Sequence, residues 1–203
     1  MNSTLPLRCE CGTVTGFVEV KGLAVHGACY CRDCQAFARH LGRPERMLDA
    51  QGGTEVIGTL PHRVHFTSGQ QRLACITLTP RGPLRWYAEC CGMSVANGSR
   101  APKTPFVTLH CRAIAAPRAD VERAFGPSSF RFAVDAATAP VAKSRVGFLL
   151  AMPKILWNIL QARLSGSWRS NPFFKPGTDE PIRAPVALPK EERYRLRGDS
   201  PRN

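Results

Sequence analysis

Cys29-Tyr30-Cys31-Arg32-Asp33-Cys34-Gln35 places three thiols within six residues, in a Cys-x-Cys-x-x-Cys spacing. A thiolate-bound Zn²⁺ needs sulfurs at about 2.3 Å in tetrahedral directions, and a tight loop of this kind supplies three of them. Upstream lies Cys9-Glu10-Cys11-Gly12, and downstream Cys90-Cys91-Gly92. Seven of the nine cysteines therefore fall into three short clusters. Disulfides are the competing reading. Met1-Asn2-Ser3-Thr4-Leu5-Pro6 has neither a basic segment nor an apolar core of the secretory kind, so the expected compartment is the cytoplasm. Thiols there are kept reduced, and clustered cysteines point to metal or catalysis. The odd cysteine count also argues against a complete disulfide framework.

Working outward, the chain reads as short strands. Gly12 to Val20 is rich in β-branched and aromatic residues, and Lys21-Gly22 turns it. After the central cluster, Gln35 to Leu41 predicts a short helix that Gly42 ends and Pro44 seals. A first turn beginning near Asp33 would put Cys34 at a helix N-terminus, where the dipole and backbone N–H groups favour a thiolate. Further strands are expected over Thr54–Gly58, Arg63–Thr67, Arg72–Leu78, Leu84–Tyr87 and Pro105–Leu109. Strands recurring at this interval predict a mainly β fold of antiparallel sheets. Asp120 to Gly126 is a brief helix with its glycine stop.

Three segments follow: a cysteine-bearing β domain over 1–135, a helical extension over 136–170, and an irregular, basic, Pro-rich tail over 171–203. In the extension, Ser144 is placed to cap a helix running to about Leu164, with Gly166 beyond it and Pro153 inside. Its apolar run is too short and too interrupted, by Pro153, Lys154 and Asn158, for the roughly 20 residues a membrane span requires. With Lys143, Arg145, Lys154 and Arg163 nearby, residues 144–164 could lie at a membrane surface. Packing against the β domain or a second subunit is the plainer expectation.

The formal net charge is +13, or +10 if seven thiolates hold two Zn²⁺. The excess is densest beyond residue 140. Such a surface attracts anions without selecting among them. Nucleic-acid binding would add exposed aromatics interleaved with the basic residues, which Trp157 and Trp168 offer only weakly.

The order of the clusters (Cys9-x-Cys11-Gly12, then Cys29-x-Cys31-x-x-Cys34, then Cys91-Gly92 after the aromatic strand Arg85-Trp86-Tyr87) resembles the glutathione-dependent formaldehyde-activating enzyme superfamily. Its relatives include the domain of centromere protein V. The resemblance covers roughly residues 7–112. It implies a β-tent fold with two zinc ions per chain. One would be a closed structural site on Cys9, Cys11, Cys91 and Cys90. The other would be an open, catalytic site on Cys29, Cys31 and Cys34. Four protein ligands close a tetrahedral zinc, whereas three leave a position for water or substrate. The chain has Tyr30 where the superfamily usually has His, and Ala88 where it usually has the first cysteine of the downstream pair. Adjacent Cys90 and Cys91 can both ligate only if the backbone bends sharply between them. The site would then hold four sulfurs, or three sulfurs with His or water.

By that resemblance the activity is that of a carbon–sulfur lyase or thiol carrier acting on a small thiol–aldehyde adduct such as S-hydroxymethylglutathione. Glutathione is the implied cosubstrate, and no residues for it are assigned. His26 and Asp33 are the nearby candidate helpers, although a lone His is more often a surface or core residue and Asp33 also reads as a cap for the helix that follows. The alternative is a zinc-stabilised binding module. Arg39, Arg43, Arg46 and the basic tail would then meet protein, nucleic acid or membrane, and His40 or His65 would complete the three-cysteine site. Cys75 and Cys111 read as small buried residues, with His110 giving Cys111 some chance of metal contact.

Overall fold

The computed structural model describes residues 4–22, 25–142 and 145–198, the side chains of 145–151 excepted. It is mainly β. A three-stranded antiparallel sheet pairs β1 (Thr4–Arg8), β2 (Thr15–Glu19) and β5 (Val64–Ser68) in that order. The second sheet has eight strands: β3 (Val25–Cys29), β4 (Thr54–Thr59), β6 (Leu73–Thr77), β7 (Leu84–Ala88), β8 (Met93–Gly98), β9 (Val107–His110), β10 (Phe130–Phe132) and β11 (Val186–Ala187). Their order is β10-β3-β4-β9-β8-β7-β6-β11. The six central strands are antiparallel, and the outer two add in parallel, β10 on β3 and β11 on β6.

The alternating inward faces of the two sheets make the core. Leu5, Leu7, Val18 and Val64 from the small sheet meet Leu73, Trp86, Val95 and Leu109 from the large one. Phe173 and Phe174 enter the same core, with Phe173 5.2 Å from Trp86 and 5.7 Å from Phe66 between ring centroids. The segment after Ser170 is therefore not a loose tail. Its Pro-rich composition hides two aromatics that only the folded sheets can bury.

Helix α1 (Arg32–His40) begins on Cys31, whose sulfur accepts from the Cys34 backbone N–H. Asp33 lies in its first turn and Arg39 and His40 in its last, each favourable to the helix dipole. Cys34, Gln35, Ala36, Phe37 and Ala38 are all buried, so most of the helix circumference is covered. A short α2 (Pro44–Met47) follows. Helix α3 (Arg118–Phe125) stops at Gly126, at φ 80°. Helix α4 (Arg145–Leu164) contains Pro153. The expected cap at Ser144, and Lys143 beside it, lie outside the described residues. Ile155 packs with Val25 and Phe130, so one face of α4 covers the β domain. Leu156, Trp157, Leu160 and Leu164 stay exposed. Among the described residues no helix is long and apolar enough to cross a membrane.

Helix α5 (Lys190–Arg197) lies in the stretch expected to be irregular. Its sequence, Lys-Glu-Glu-Arg-Tyr-Arg-Leu-Arg, has almost no apolar period, so partners hold it rather than propensity. It docks on α1. Leu196 packs with Ala36 and Leu78, Arg39 donates to the Leu196 carbonyl at 2.6 Å, His40 pairs with Glu192, and Arg197 pairs with Asp33. Deleting residues 186–203 should therefore cost at least the burial of Leu196, about 2 kcal/mol. For a chain of this size that lowers the melting temperature by about 5 °C or more. A calorimetric shift below about 1 °C would show that α5 contributes nothing.

Candidate metal centres

The first cluster forms where the two sheets meet. Cys9 directly follows β1, and the chain reverses through Cys11 and Gly12, with the Gly12 N–H on the Cys9 carbonyl at 2.9 Å. Cys90 and Cys91 occupy the β7–β8 turn, closed by Gly92 N–H to the Ala88 carbonyl at 2.9 Å, with Gly92 at φ 68°. Glycine adopts that φ without strain, and here it closes the turn after Cys91. All four sulfurs lie within 4.8 Å of one another. Cys9–Cys11 is 3.4 Å, Cys9–Cys90 3.9 Å and Cys11–Cys90 3.2 Å. Sulfurs at tetrahedral corners about 2.3 Å from zinc stand about 3.8 Å apart, so the set is spaced for one ion. All nine cysteines are free thiols, which removes the disulfide reading. Thiolate character is supported from the backbone, with Val14 N–H donating to the Cys9 sulfur at 3.2 Å. Hydrogen bonding to Thr13 draws the Cys11 thiol down to about 6. Glu10, between Cys9 and Cys11, takes Arg43 and Arg46 on one carboxylate oxygen, each at 2.7 Å.

The second cluster gathers Cys29 from the end of β3 with Cys31 and Cys34 from the start of α1, again with all three sulfurs within 4.8 Å. Among the described residues no fourth Cys, His, Asp or Glu joins them. The two histidines expected as completing ligands are engaged elsewhere, His40 with Glu192 and His65 with Glu19. Hydrogen bonds from Cys29 and Cys34 draw Cys31 well below the usual thiol range, while the same contacts hold Cys29 up. Tyr30 is buried, with its hydroxyl donating to Asp49 at 3.1 Å and its ring lying where a side chain on Gly53 would collide. It packs the loop and offers no ligand to the sulfurs.

Sequence reasoning missed Arg85. It is 3% exposed, and one guanidinium nitrogen reaches the Cys34 sulfur at 3.7 Å and Asn97 Oδ1 at 3.3 Å. Its carbon also lies 5.5 Å from the Phe37 ring centroid. Asn97 continues to His110 Nε2 at 3.1 Å, and desolvation holds that imidazole neutral at about 3. Among the described residues no carboxylate pairs with Arg85. A buried guanidinium needs an anion; Arg85 lies against the Cys34 sulfur and its charge favours thiolates at Cys31 and Cys34, although Cys34 itself is held up to about 11. Strand alternation could have found this: Arg85 precedes the wholly buried Trp86 in a strand covered on both faces.

The two expected helpers do not serve this cluster. Asp33 neither caps α1 nor reaches a sulfur, because Cys31 is the cap and Arg197 takes the carboxylate. His26 points away, with one ring nitrogen on the Gly126 carbonyl and the other on Glu55. Cys75 is buried as expected, and burial pushes its thiol up to about 12. Cys111 turns not toward His110 but toward His26.

Fold and sites together define a mainly β protein carrying a four-thiol cluster between its sheets and a three-thiol cluster at the head of a helix. The chain belongs to DUF6151, a family of unknown function whose model matches residues 1–183. Helix α5 lies beyond that match. No curated protein matches the sequence. Among solved structures it is similar to a Rhodobacter sphaeroides protein determined by structural genomics, at 16% identity and a TM-score of 0.42, covering 63% of this chain and 99% of that one.

Proposed function

We propose that the chain is a zinc protein of the formaldehyde-activating type, with a structural site at Cys9, Cys11, Cys90 and Cys91 and a reactive site at Cys29, Cys31 and Cys34. The reaction is the making or breaking of a thiol–aldehyde adduct such as S-hydroxymethylglutathione. The observation that carries this reading is the contrast in ligand number: four converging sulfurs at one cluster, and three at the other with no fourth donor among the described residues. Zinc bound by three thiolates supplies a Lewis acid with a position free for a thiol or a carbonyl oxygen.

The protein's own groups do the rest. Cys29, Cys31 and Cys34 hold the ion, and the N–H of Cys34 supports the Cys31 sulfur at 3.3 Å. Arg85 offsets the negative charge that three thiolates and one dication leave behind. In the forward direction the cosubstrate sulfur bonds to the carbonyl carbon, and the thiol proton passes to the aldehyde oxygen. The reverse breaks that carbon–sulfur bond and returns the proton to sulfur. The basic surface suits an anionic thiol such as glutathione. The binding-module alternative loses part of its basis, since Arg43 and Arg46 are occupied by Glu10, and Arg39 by α5.

Thiol-dependent formaldehyde adduct formation, followed by exchange NMR, tests this reading. Wild type should accelerate exchange between free and adducted glutathione. Cys31→Ser should remain folded, lose one zinc and lose the acceleration. Equal rates with and without wild-type protein would remove the enzymatic reading and leave the binding module.

A further inference from the structure

The opposite face of the strands that carry Cys29 and His110 holds a further group of donors. In the antiparallel register His26 stands across from Ile57, and Ala28 across from Glu55, so His26 and Glu55 are diagonal neighbours on one face. Val56 pairs with His110, which brings the next residue, Cys111, level with Glu55. Residues far apart in sequence thus converge on β3, β4 and the end of β9. His26 Nε2 lies 3.0 Å from Glu55 Oε1 and 3.8 Å from the Cys111 sulfur, and the ligand atoms of all three lie within 4.8 Å of one another.

The ring is oriented from behind. His26 Nδ1 is 2.6 Å from the Gly126 carbonyl at the end of α3. A carbonyl only accepts, so Nδ1 carries the proton, and in the neutral ring Nε2 presents its lone pair to a carboxylate and a sulfur. A backbone carbonyl on the far nitrogen is the usual support of a metal-binding histidine. Explaining the contacts by hydrogen bonds alone needs a further proton between Nε2 and Glu55, which if carried by a ring 1% exposed makes a cation paired with that carboxylate. That cation would share the Glu55 oxygen with Arg118, 3.4 Å away, whose other partner is Glu122.

We infer that His26, Glu55 and Cys111 form a third divalent-cation site, suited to zinc, distinct from both thiol clusters. Nitrogen, carboxylate oxygen and sulfur together are a zinc donor set, and one thiolate with one carboxylate balances a dication. Around a tetrahedral ion these donors stand about 3.3–3.6 Å apart, which the 3.0 and 3.8 Å separations bracket. His26 closes the inner side, while Glu55 is 34% exposed and Arg118 68% exposed, so the ion enters and keeps a solvent position on that side. The Cys111 thiol is raised by burial and then by Glu55, and binding displaces its proton.

Zinc content of the full-length protein, measured by mass spectrometry after dialysis against a weak chelator, tests the site. Cys111→Ser and Glu55→Gln should each hold one equivalent less than wild type. Because the comparison is with the parent protein, it does not depend on how many ions the cysteine clusters carry. Glu55→Gln keeps the shape and is the safeguard if Cys111→Ser fails to fold. In parallel, the His26 Nε2 signal in ring-nitrogen NMR should move when zinc is returned to depleted protein, while Nδ1 stays protonated. Unchanged zinc content in a folded variant, or an Nε2 signal that zinc leaves in place, overturns the site and makes the group an ion pair of His26, Glu55 and Arg118.

Discussion

Cys9→Ser should abolish the cooperative thermal transition and leave a protein without fixed near-ultraviolet circular dichroism. The cluster of Cys9, Cys11, Cys90 and Cys91 joins the β1–β2 loop of the small sheet to the β7–β8 turn of the large one. Cys9 and Cys90 are 81 residues apart in sequence, and both segments pack against the same core. Structural zinc contributes about 10–16 kcal/mol in small zinc-folded peptides. The whole stability of an ordinary domain is about 5–15 kcal/mol. Losing one ligand of four forfeits a large part of that and leaves sulfurs facing each other without a cation. Cys91→Ser should behave alike, and a strong chelator should reproduce both in the parent. A Cys9→Ser protein that melts within a few degrees of wild type would mean that the cluster does not tie the sheets together. Cys31→Ser is expected to differ from these, because α1 keeps its packing on α5 and on the large sheet.

Arg85→Met should lower zinc affinity at the three-cysteine site by 10- to 100-fold, the usual effect of losing a partner beyond the ligands. Methionine fills much of the same space, so the packing on Phe37 survives. What disappears is the positive charge beside Cys34 and the donor to Asn97. Cys34 is buried, and the guanidinium lies within hydrogen-bonding distance of its sulfur as a counter-charge to the thiolates. Arg85→Lys should fall between, since it keeps the charge but not the fork. Competition with a chromophoric chelator measures the affinity, and far-ultraviolet circular dichroism checks the fold. An affinity within twofold of wild type would show that the guanidinium does not serve the thiolates.

How legible each feature was depends on how local its cause is. Strands β2, β4, β5, β6, β7 and β9 could be read because β-branched and aromatic residues recur between turn residues. Strand β8, Met-Ser-Val-Ala-Asn-Gly, could not. Its small and polar residues are buried because β7 and β9 flank it, a fact of the sheet and not of the segment. Neither β1 nor β3 announces itself in its own segment. Asn171 to Phe174 looked like linker because prolines and a lysine surround the phenylalanines, yet Trp86 and Phe66 receive one of those rings.

The sequence by itself determined the three short cysteine groups, the helix that begins at the second of them and the mainly β character, because each follows from residues a few positions apart. The tertiary structure alone decided that adjacent Cys90 and Cys91 face the same point, that a buried arginine stands behind Cys34, and that α5 braces α1. It also brought His26, Glu55 and Cys111 together. Strand register sets those contacts, since pairing fixes which side chains share a face across neighbouring strands, and no spacing along the chain encodes that.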